Sequence, residues 1–371
     1  MNAKPIRIVI IDDQPIIRRA LRGLLENQAD LQIVGEAQDG EEGLKVVHLE
    51  NPDVITLDLE MPKLDGFAFL RLLMAKQPRP VVVVSSHATR ESVFRALELG
   101  AVEFCAKPSL ILSQADLEPI REDLLCKLRA ATQLRLSSLA DRMRLLGQGH
   151  TLRTRSTEEA LNGIPLQAEA SSLPRCVVCI GASTGGPPAI VALLQALPPS
   201  LPISILITQH LPGKFTPAFV ERLRRTTDWP IREAALDMPI VPGEVVIASG
   251  NQSLCVHREG RSLKSGVPEP QDVSPSTYVP SIDAMFRSCA SAMGPAVVAV
   301  ILSGMSGDGV LGVHAVAKAG GRVIVESPQS AVLSAMPEAA ISSGVVHDVV
   351  PLGKLASAIV RHIFTRPEPP A

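Results

Sequence analysis

A serine in a glycine-rich turn is the residue of this sequence best placed to act as a nucleophile. Val177, Val178 and Ile180 belong to an apolar, β-branched run that predicts a buried strand. The strand leads into the turn GASTGG at 181–186, after which two prolines and an apolar periodicity predict a helix. This order places the Ser183 hydroxyl at the carboxyl edge of a sheet, near free amide groups at a helix start. A GxSxG match alone also fits an N-capping serine, so both interpretations stay open here.

Two further residues could complete a catalytic set with this serine. A serine hydroxyl needs a general base, and the base needs a group that orients it. His210 follows one predicted strand, and Asp308 lies in a glycine-rich loop after another. Because parallel strands end at one edge of a sheet, both are expected near Ser183. Asp283, inside a predicted helix, is a weaker candidate for the acid. The chain order Ser, His, Asp differs from the Ser, Asp, His order of α/β-hydrolases, which disfavours a generic member of that fold.

A second set of reactive side chains lies in the first third of the chain, again at predicted strand ends. Asp12 and Asp13 follow the first strand, Asp58 lies near the end of another, and Ser85 and Lys107 end two more. Three carboxylates at one sheet edge need a cation, and oxygen ligands suit Mg²⁺. One carboxylate could then accept a phosphoryl group while the metal, a hydroxyl and an ammonium balance its oxygens. The alternative, that each residue only terminates its strand, requires five independent coincidences.

Both sets need parallel sheets to position them, and the hydrophobic pattern predicts two such sheets. Strands and helices alternate along residues 1–125 and again along residues 174–371. This alternation predicts an α/β protein with two doubly wound domains, each built on a mostly parallel sheet. Residues 126–173 are predicted to form a linker, because a helical periodicity gives way there to a polar stretch with little pattern.

The composition agrees with aliphatic cores and excludes several classes of protein. Hydrophobic residues make up 46% of the 371 residues and aromatic residues 3%, so Val and Ile must fill the cores. The net charge is −2, and neither a strongly basic segment nor a helix-turn-helix pattern indicates nucleic-acid binding. No apolar run reaches the ~20 residues that span a membrane, and the N-terminus lacks a signal-peptide pattern. We therefore expect a cytoplasmic protein without membrane insertion, whose six cysteines are reduced thiols.

Residues 5–125 resemble the receiver domain of bacterial response regulators, which has a flavodoxin-like fold. The matching positions are Asp12, Asp13, Asp58, the loop MPKLDG at 61–66, Ser85 and the pair Lys107-Pro108. Phe104 stands where that family keeps a switch aromatic residue. The resemblance implies that a histidine kinase is a partner of this chain.

The receiver resemblance also implies a role for each matching residue. Asp58 would be the phosphoacceptor, and the pair Asp13 and Asp58 would bind Mg²⁺ directly, with Asp12 assisting. Ser85 and Lys107 would hold the phosphoryl oxygens. Phosphorylation and its metal would therefore share one carboxylate, at the edge of the first sheet.

The second domain resembles the catalytic domain of chemotaxis protein-glutamate methylesterases, a Rossmann-like esterase domain. The resemblance covers roughly residues 174–365, and the order receiver, linker, esterase is that of the family. The motifs that carry it are IGASTGGPPAI at 180–190, TQHLPGKFTPAFVERL at 208–223, PGEVVIASG at 242–250, PSIDAMFRSCA at 280–290, ILSGMSGDGVLG at 301–312 and MPEAAISSG at 336–344.

The methylesterase resemblance implies a reaction and its substrate. Ser183 would attack the γ-glutamyl methyl esters of chemoreceptor cytoplasmic helices, His210 would transfer the proton to departing methanol, and Asp308 would orient the imidazole. The residues implied to support the oxyanion are Thr184, Gly185 and Met305. Receptor glutamines are a second possible substrate, by deamidation. The unphosphorylated receiver would cover the active site until a chemotaxis-type kinase phosphorylates Asp58.

Several positions depart from the esterase family pattern without touching the triad. Ser249, Ser253 and Val279 stand where the family often has proline, histidine and arginine, and Ser334-Ala335 replaces a common Phe-Gly pair. These departures bear on which receptor is the substrate. A different class of hypothesis is a receiver joined to a catalytically silent binding module, and the intact set of serine, histidine and aspartate argues against it.

Overall fold

The computed structural model describes residues 4–85, 90–108, 114–134, 173–268 and 278–364. The chain forms two compact units, Met1–Met143 and Arg144–Ala371. Most of the predicted linker 126–173 lies outside the described residues, so the predicted domain boundaries stay a prediction. Within the described part of the chain, no helix combines the length and apolar character needed to cross a membrane.

The first unit is a five-stranded parallel sheet with helices between its strands. The strand order is β2-β1-β3-β4-β5, and every neighbouring pair is parallel. All carboxyl ends therefore lie at one edge, as predicted. The elements are β1 Ile6–Ile11, α1 Pro15–Glu26, β2 Leu31–Ala37, α2 Gly40–Glu50, β3 Val54–Leu57, α3 Gly66–Lys76, β4 Val81–Ser85, α4 Arg90–Glu98, β5 Glu103–Ala106 and α5 Arg121–Ala131.

The local sequence explains why these elements begin and end where they do. Strands β3 and β4 are buried at every position, because helices cover both faces of the sheet. Helices α2 and α3 are capped by the preceding residues Asp39 and Asp65, whose carboxylates accept hydrogen bonds from backbone amides of the first turn. The capped start of α3 fixes the loop that follows β3, and with it the position of Asp58.

Leu and Ile at three-to-four spacing predict a continuous helix from Leu110 to about Met143. The end of the first unit differs from this prediction. Gln114–Ile120 is a 3₁₀ helix that contains Pro119, and α5 starts only at Arg121. Proline lacks an amide hydrogen and its ring clashes with the preceding turn, so an α-helix cannot run through this position. The rest of the predicted helix, residues 110–113 and 135–143, lies outside the described residues.

The second unit is a seven-stranded sheet in the order β14-β13-β12-β6-β7-β9-β8, parallel at every pairing, with a separate antiparallel hairpin β10-β11. The two predicted parallel-sheet α/β domains are thus confirmed. The elements are β6 Cys176–Ala182, α6 Gly186–Ala196, β7 Ile203–Gln209, α7 Thr216–Thr226, β8 Ile231–Glu233, β9 Glu244–Ile247, β10 Cys255–Glu259, β11 Ser262–Gly266, α8 Ile282–Met293, β12 Val297–Ile301, α9 Val310–Lys318, β13 Arg322–Glu326, α10 Ala335–Ser342, β14 Asp348–Val350 and α11 Leu352–Phe364.

Four of these elements have too weak a sequence signal to be predicted. Strands β8 and β14 have three residues each, which is too short to show an alternating pattern. Strand β11 is a polar strand of the hairpin, and α10 carries Pro337 within its first turn. None of them supplies a predicted site residue.

Close packing of α8 on α9 fixes the loop that carries Asp308. A methyl group on Gly312 would lie 2.6 Å from the Phe286 Cβ and 3.2 Å from the Asp283 Cα. Because one of these contacts is with the backbone of α8, the helices can approach this closely only with glycine at position 312.

Substitution of this glycine should therefore weaken the second unit. We expect Gly312→Ala to lower the free energy of unfolding by about 1–3 kcal/mol, the usual cost of overpacking. The single tryptophan, Trp229, is buried in this unit and reports its urea unfolding by fluorescence. Gly307→Ala is the matched control, with an expected change within about 0.5 kcal/mol, because nothing lies within 4 Å of the position that its methyl group would take. Equal midpoints for both variants would contradict the packing argument.

Candidate active site

The predicted nucleophile lies in a tight turn between β6 and α6. The Ser183 amide donates to the Ser303 carbonyl at 3.0 Å, and the Gly186 amide donates to the Ser183 carbonyl at 2.8 Å. Gly185 has a φ of 75°, in the left-handed region that favours glycine. The strand, turn and helix predicted for this stretch are confirmed. No hydrogen bond joins the Ser183 hydroxyl to another described residue.

Strand register brings His210 next to Ser183. Strands β6 and β7 are parallel, with Ala182 opposite Gln209. Ser183 therefore follows the end of β6 and His210 follows the end of β7, side by side. Neighbouring strands lie roughly 4.8 Å apart. The His210 amide donates to the Ala182 carbonyl at 2.9 Å, which continues this pairing to the strand ends. The predicted serine and histidine thus share one edge of the sheet.

A buried glutamine, not identified from sequence, ties the two strand ends together. The Gln209 Nε2 donates to the carbonyl of Ser183 at 2.9 Å and to the carbonyl of His210 at 3.1 Å. Its Oε1 atom is buried without a partner among the described residues. A methyl group on Gly186 would lie 2.1 Å from that oxygen, so the helix start needs glycine. The only sequence signal is an amide side chain in a fully buried strand.

His210 and Asp308 form a direct pair. The His210 Nε2 lies 2.9 Å from the Asp308 Oδ2, and their side chains are 13% and 3% exposed. This contact leaves Nδ1 as the ring nitrogen that can take a proton from Ser183. Asp308 also accepts hydrogen bonds from the amides of Ile282 at 2.7 Å and Asp283 at 3.0 Å. Burial acts to raise the pKa of Asp308, but the hydrogen bonds from His210 and these amides outweigh it and lower that pKa.

The loop after β12 runs directly beside the nucleophile. The Ser303 hydroxyl donates to the carbonyl of the buried Thr184 at 2.8 Å, and the Ser303 amide donates to a Glu326 carboxylate oxygen at 2.9 Å. A methyl group on Gly304 would lie 2.8 Å from the Ser183 Cβ. Met305 is the next residue of this loop, and a donor to the oxyanion must lie close to the nucleophile. The oxyanion roles of Thr184, Gly185 and Met305 stay a prediction.

An aromatic residue not identified from sequence covers His210. The Tyr278 ring stacks on the imidazole with centroids 5.0 Å apart and planes 13° apart. The tyrosine is itself 50% exposed, at the rim of the site. The only sequence signal is that this single tyrosine of the chain comes just before the PSID segment at 280–283. Stacking restricts rotation of the imidazole and shields one of its faces from water.

The first unit brings its five predicted residues together as well. Lys107 Nζ lies 2.5 Å from both Asp12 Oδ2 and Asp58 Oδ2, and the Ser85 hydroxyl donates to Asp58 Oδ1 at 2.8 Å. Carboxylate oxygens of Asp12, Asp13 and Asp58 lie within 4.8 Å of one another. Burial raises the pKa of Asp12, although the Lys107 ammonium opposes this and the charge of Asp58 adds to it.

This acidic cluster fits a small divalent cation. The Asp13 Oδ1 atom is buried without a partner among the described residues, which leaves it available to a metal. Three carboxylates are the oxygen donors that Mg²⁺ prefers. The predicted switch residue Phe104 is only 5% exposed, and Lys127 donates to its carbonyl at 2.8 Å.

Two protein families match this chain, one within each of its two units. The CheB methylesterase family matches residues 178–359 and the response regulator receiver domain family matches residues 8–115. Protein-glutamate methylesterase/protein-glutamine glutaminase 3 of Geobacter sulfurreducens is 40% identical over 368 residues, which cover 96% of this chain and 97% of that protein. Protein-glutamate methylesterase/protein-glutamine glutaminase 1 of Myxococcus xanthus is 41% identical over 354 residues, which cover 95% and 96%.

A solved structure is also similar to part of this chain. The Thermotoga maritima CheB methylesterase catalytic domain is 29% identical and covers 51% of this chain and 99% of its own, with a TM-score of 0.49. The two relatives above match over nearly their full lengths, and each of the two family matches falls on one of the two units. The chain therefore belongs to the protein-glutamate methylesterase/protein-glutamine glutaminase family, with a receiver domain ahead of a CheB methylesterase domain.

Proposed function

We propose that this chain hydrolyses glutamate methyl esters of chemoreceptor-type proteins and that phosphorylation of its receiver domain activates it. The observation that carries the esterase activity is the His210–Asp308 hydrogen bond at 2.9 Å, beside the turn that holds Ser183. A serine, a histidine and an acid that follow three adjacent strands at one sheet edge are an arrangement that activates a serine hydroxyl. We propose the domain ranges 1–125 for the receiver, 126–173 for the linker and 174–371 for the esterase.

The geometry suggests a two-step reaction. Ser183 Oγ attacks the carbonyl carbon of the ester while His210 Nδ1 takes its proton. Asp308 stabilises the imidazolium that forms, since its carboxylate is already held by two amides and the ring. The imidazolium then protonates the departing methoxide, so that methanol leaves an acyl-enzyme. His210 next deprotonates water, which attacks the acyl carbon. The bond from that carbon to Ser183 Oγ then breaks, and the imidazolium returns its proton to Oγ as glutamate is released.

Backbone amides near Ser183 are the proposed donors to the oxyanion. The candidates are Thr184 and Gly185 in the turn and Met305 in the loop after β12. Each such donor typically contributes about 2.7–4 kcal/mol to stabilising the transition state. The same attack on a glutamine side chain would release ammonia, and the names of the relatives include a glutaminase activity.

The receiver site supports phosphorylation on Asp58. Asp12, Asp13 and Asp58 would hold Mg²⁺, which supplies positive charge against the phosphoryl oxygens. Asp58 would attack the phosphorus of a histidine kinase phosphohistidine or of a small phosphodonor. Lys107 would move its ammonium from the Asp58 carboxylate to a phosphoryl oxygen, with Ser85 donating to another. Both residues already contact Asp58, which supports these roles.

The proposed partners follow from these two chemistries. They are a histidine kinase of a chemotaxis-type pathway and the methylated cytoplasmic helices of chemoreceptors. Both would be met in the cytoplasm, without nucleic acid and without membrane insertion of this chain. The competing proposal of a catalytically silent adaptor predicts receptor binding without turnover.

Removal of the serine hydroxyl tests the esterase mechanism. We expect Ser183→Ala to lower methanol release from methylated receptor membranes by about a thousandfold or more. Folding should be retained, because the hydroxyl makes no hydrogen bond to a described residue. Ser291→Ala, at an exposed position of α8, is the control and should behave as wild type. Hydrolysis by Ser183→Ala at the control rate would exclude Ser183 as the nucleophile.

Removal of the acceptor carboxylate tests the receiver assignment. Asp58→Asn should take up no phosphoryl group from acetyl phosphate in the presence of Mg²⁺, as measured by intact-protein mass. Chelation of Mg²⁺ with EDTA should stop uptake by the wild type. Glu60→Gln removes an exposed neighbouring carboxylate and should leave uptake unchanged. Phosphoryl uptake by Asp58→Asn at another residue would contradict the assignment.

The stacked tyrosine provides a third test. An aromatic pair contributes about 0.5–1.5 kcal/mol beyond its buried area. If the stack orients His210 for proton transfer, Tyr278→Ala should lower kcat for methanol release by about twofold to tenfold. Tyr278→Phe keeps the ring and should retain the wild-type rate. A loss of activity in Tyr278→Phe equal to that in Tyr278→Ala would show that the hydroxyl, rather than the stack, is required.

A further inference from the structure

Asp283 is a half-buried carboxylate beside the triad that the proposed reaction does not use. It lies in the first turn of α8, and its backbone amide donates to Asp308 Oδ1 at 3.0 Å. Its own carboxylate accepts a hydrogen bond from the Gly312 amide at 2.6 Å, in the first turn of α9. The two aspartates are therefore reciprocal: Asp308, just before α9, binds the start of α8, while Asp283 binds the start of α9. Amides at the start of α8 thus stabilise the Asp308 carboxylate, and an amide at the start of α9 stabilises the Asp283 carboxylate.

The surroundings of Asp283 make its charge state variable near neutral pH. Burial raises the pKa of Asp283 to about 6, against the hydrogen bond from the Gly312 amide, while the negative charge of Asp308 adds to the rise. Arg287, one turn further along α8, opposes it with a positive charge. The other titratable side chains of the packed elements α9 and β10 are the exposed His314, Lys318, His257 and Glu259 and the half-buried Arg258 and Cys255. Among charged side chains, Asp308 and Arg287 have the largest effects on the pKa of Asp283.

We propose that Asp283 is a positioning residue for the triad acid: its backbone amide holds Asp308, its carboxylate holds the start of α9, and its negative charge assists the reaction. This inference rests on the proposed esterase function. An ionised Asp283 accepts the Gly312 amide strongly and keeps a second negative charge behind the His210–Asp308 pair. That charge favours the imidazolium that forms when Ser183 attacks. Protonation removes the charge and weakens the acceptor, so the site loses activity as the pH falls.

The pH profile of methanol release tests this role. With tritium-labelled methyl esters on receptor membranes, the acidic limb of the wild-type kcat profile should contain a one-proton step near pH 6 that belongs to Asp283. In Asp283→Asn this step should be absent. At pH 8 its kcat should fall by about tenfold to about a hundredfold with KM unchanged, the order expected for a small displacement of a catalytic group.

Arg287→Gln provides a variant with the opposite electrostatic effect. Loss of the positive charge should raise the pKa of Asp283, so the acidic limb should move to higher pH while the rate at pH 8 stays near wild type. A structural role alone would not move this midpoint. Thermal unfolding is the folding control: because the raised pKa favours the protonated carboxyl in the folded state, wild type should lose stability relative to Asp283→Asn as the pH rises through 6.

A measurement without substrate separates this inference from the proposed function. In the full chain labelled with ¹³C-aspartate, one carboxyl signal should titrate near pH 6, be absent from Asp283→Asn and shift to higher pH in Arg287→Gln. The Asp308 signal should move at the same midpoint in the wild type and lose that step in Asp283→Asn. If the wild type released no methanol, the proposed function would fall while this coupling could still be found. An Asp308 signal or a pH profile unchanged by Asp283→Asn would overturn the inference.

Discussion

Parallel pairing of β6 with both β7 and β12 is the constraint on which the esterase site depends. The register sets Ala182 beside Gln209 and Gly181 beside Ile301, so the residues that follow these strands emerge together at one edge. The serine turn, His210 and the loop that carries Asp308 are then neighbours, although they lie far apart in the chain. A slip of one residue in either pairing would turn the strand-end side chains to the other face of the sheet. Strands β6 and β7 are buried at every position, between helices that cover both faces of the sheet.

Both units bury charged side chains, and they compensate these charges in different ways. In the first unit, the fully buried Lys107 ammonium pairs with both Asp12 and Asp58, and the Asp13 Oδ1 atom is buried without a partner among the described residues. In the second unit no lysine or arginine pairs with Asp308 among the described residues; backbone amides and the imidazole hold it instead. Amides carry no net charge, so the acid stays available to stabilise the imidazolium. Removal of one partner from a buried ion pair leaves an uncompensated charge and destabilises the folded protein. Loss of any one residue of the first site should therefore lower the stability of the first unit.

The reactive residues could be located from the sequence because they stand at strand ends, where residue type and hydrophobic pattern together predict position. Ser183, His210 and Lys107 are of this kind. Three features could not be located from the sequence: the bridging Gln209, the stacked Tyr278 and the contact of Asp283 with Gly312. Each depends on which turns of distant elements approach each other. Nothing local marks a glutamine in a strand as a bridge between two carbonyls. Three-residue strands such as β8 were missed because periodicity needs more residues than they have, and the helix predicted from Leu110 ignored what Pro119 does to an α-helix.

Phosphorylation of the receiver domain and ester hydrolysis are joined in this chain, and we propose that phosphorylation controls hydrolysis. The most direct measurement is methanol release by the full-length wild type from methylated receptor membranes, with Mg²⁺ present, before and after addition of acetyl phosphate. We predict slow release that rises when the phosphodonor is added and falls back as the phosphoryl group is lost. A rate that is substantial from the start and unchanged by the phosphodonor, or no release under either condition, would contradict this claim.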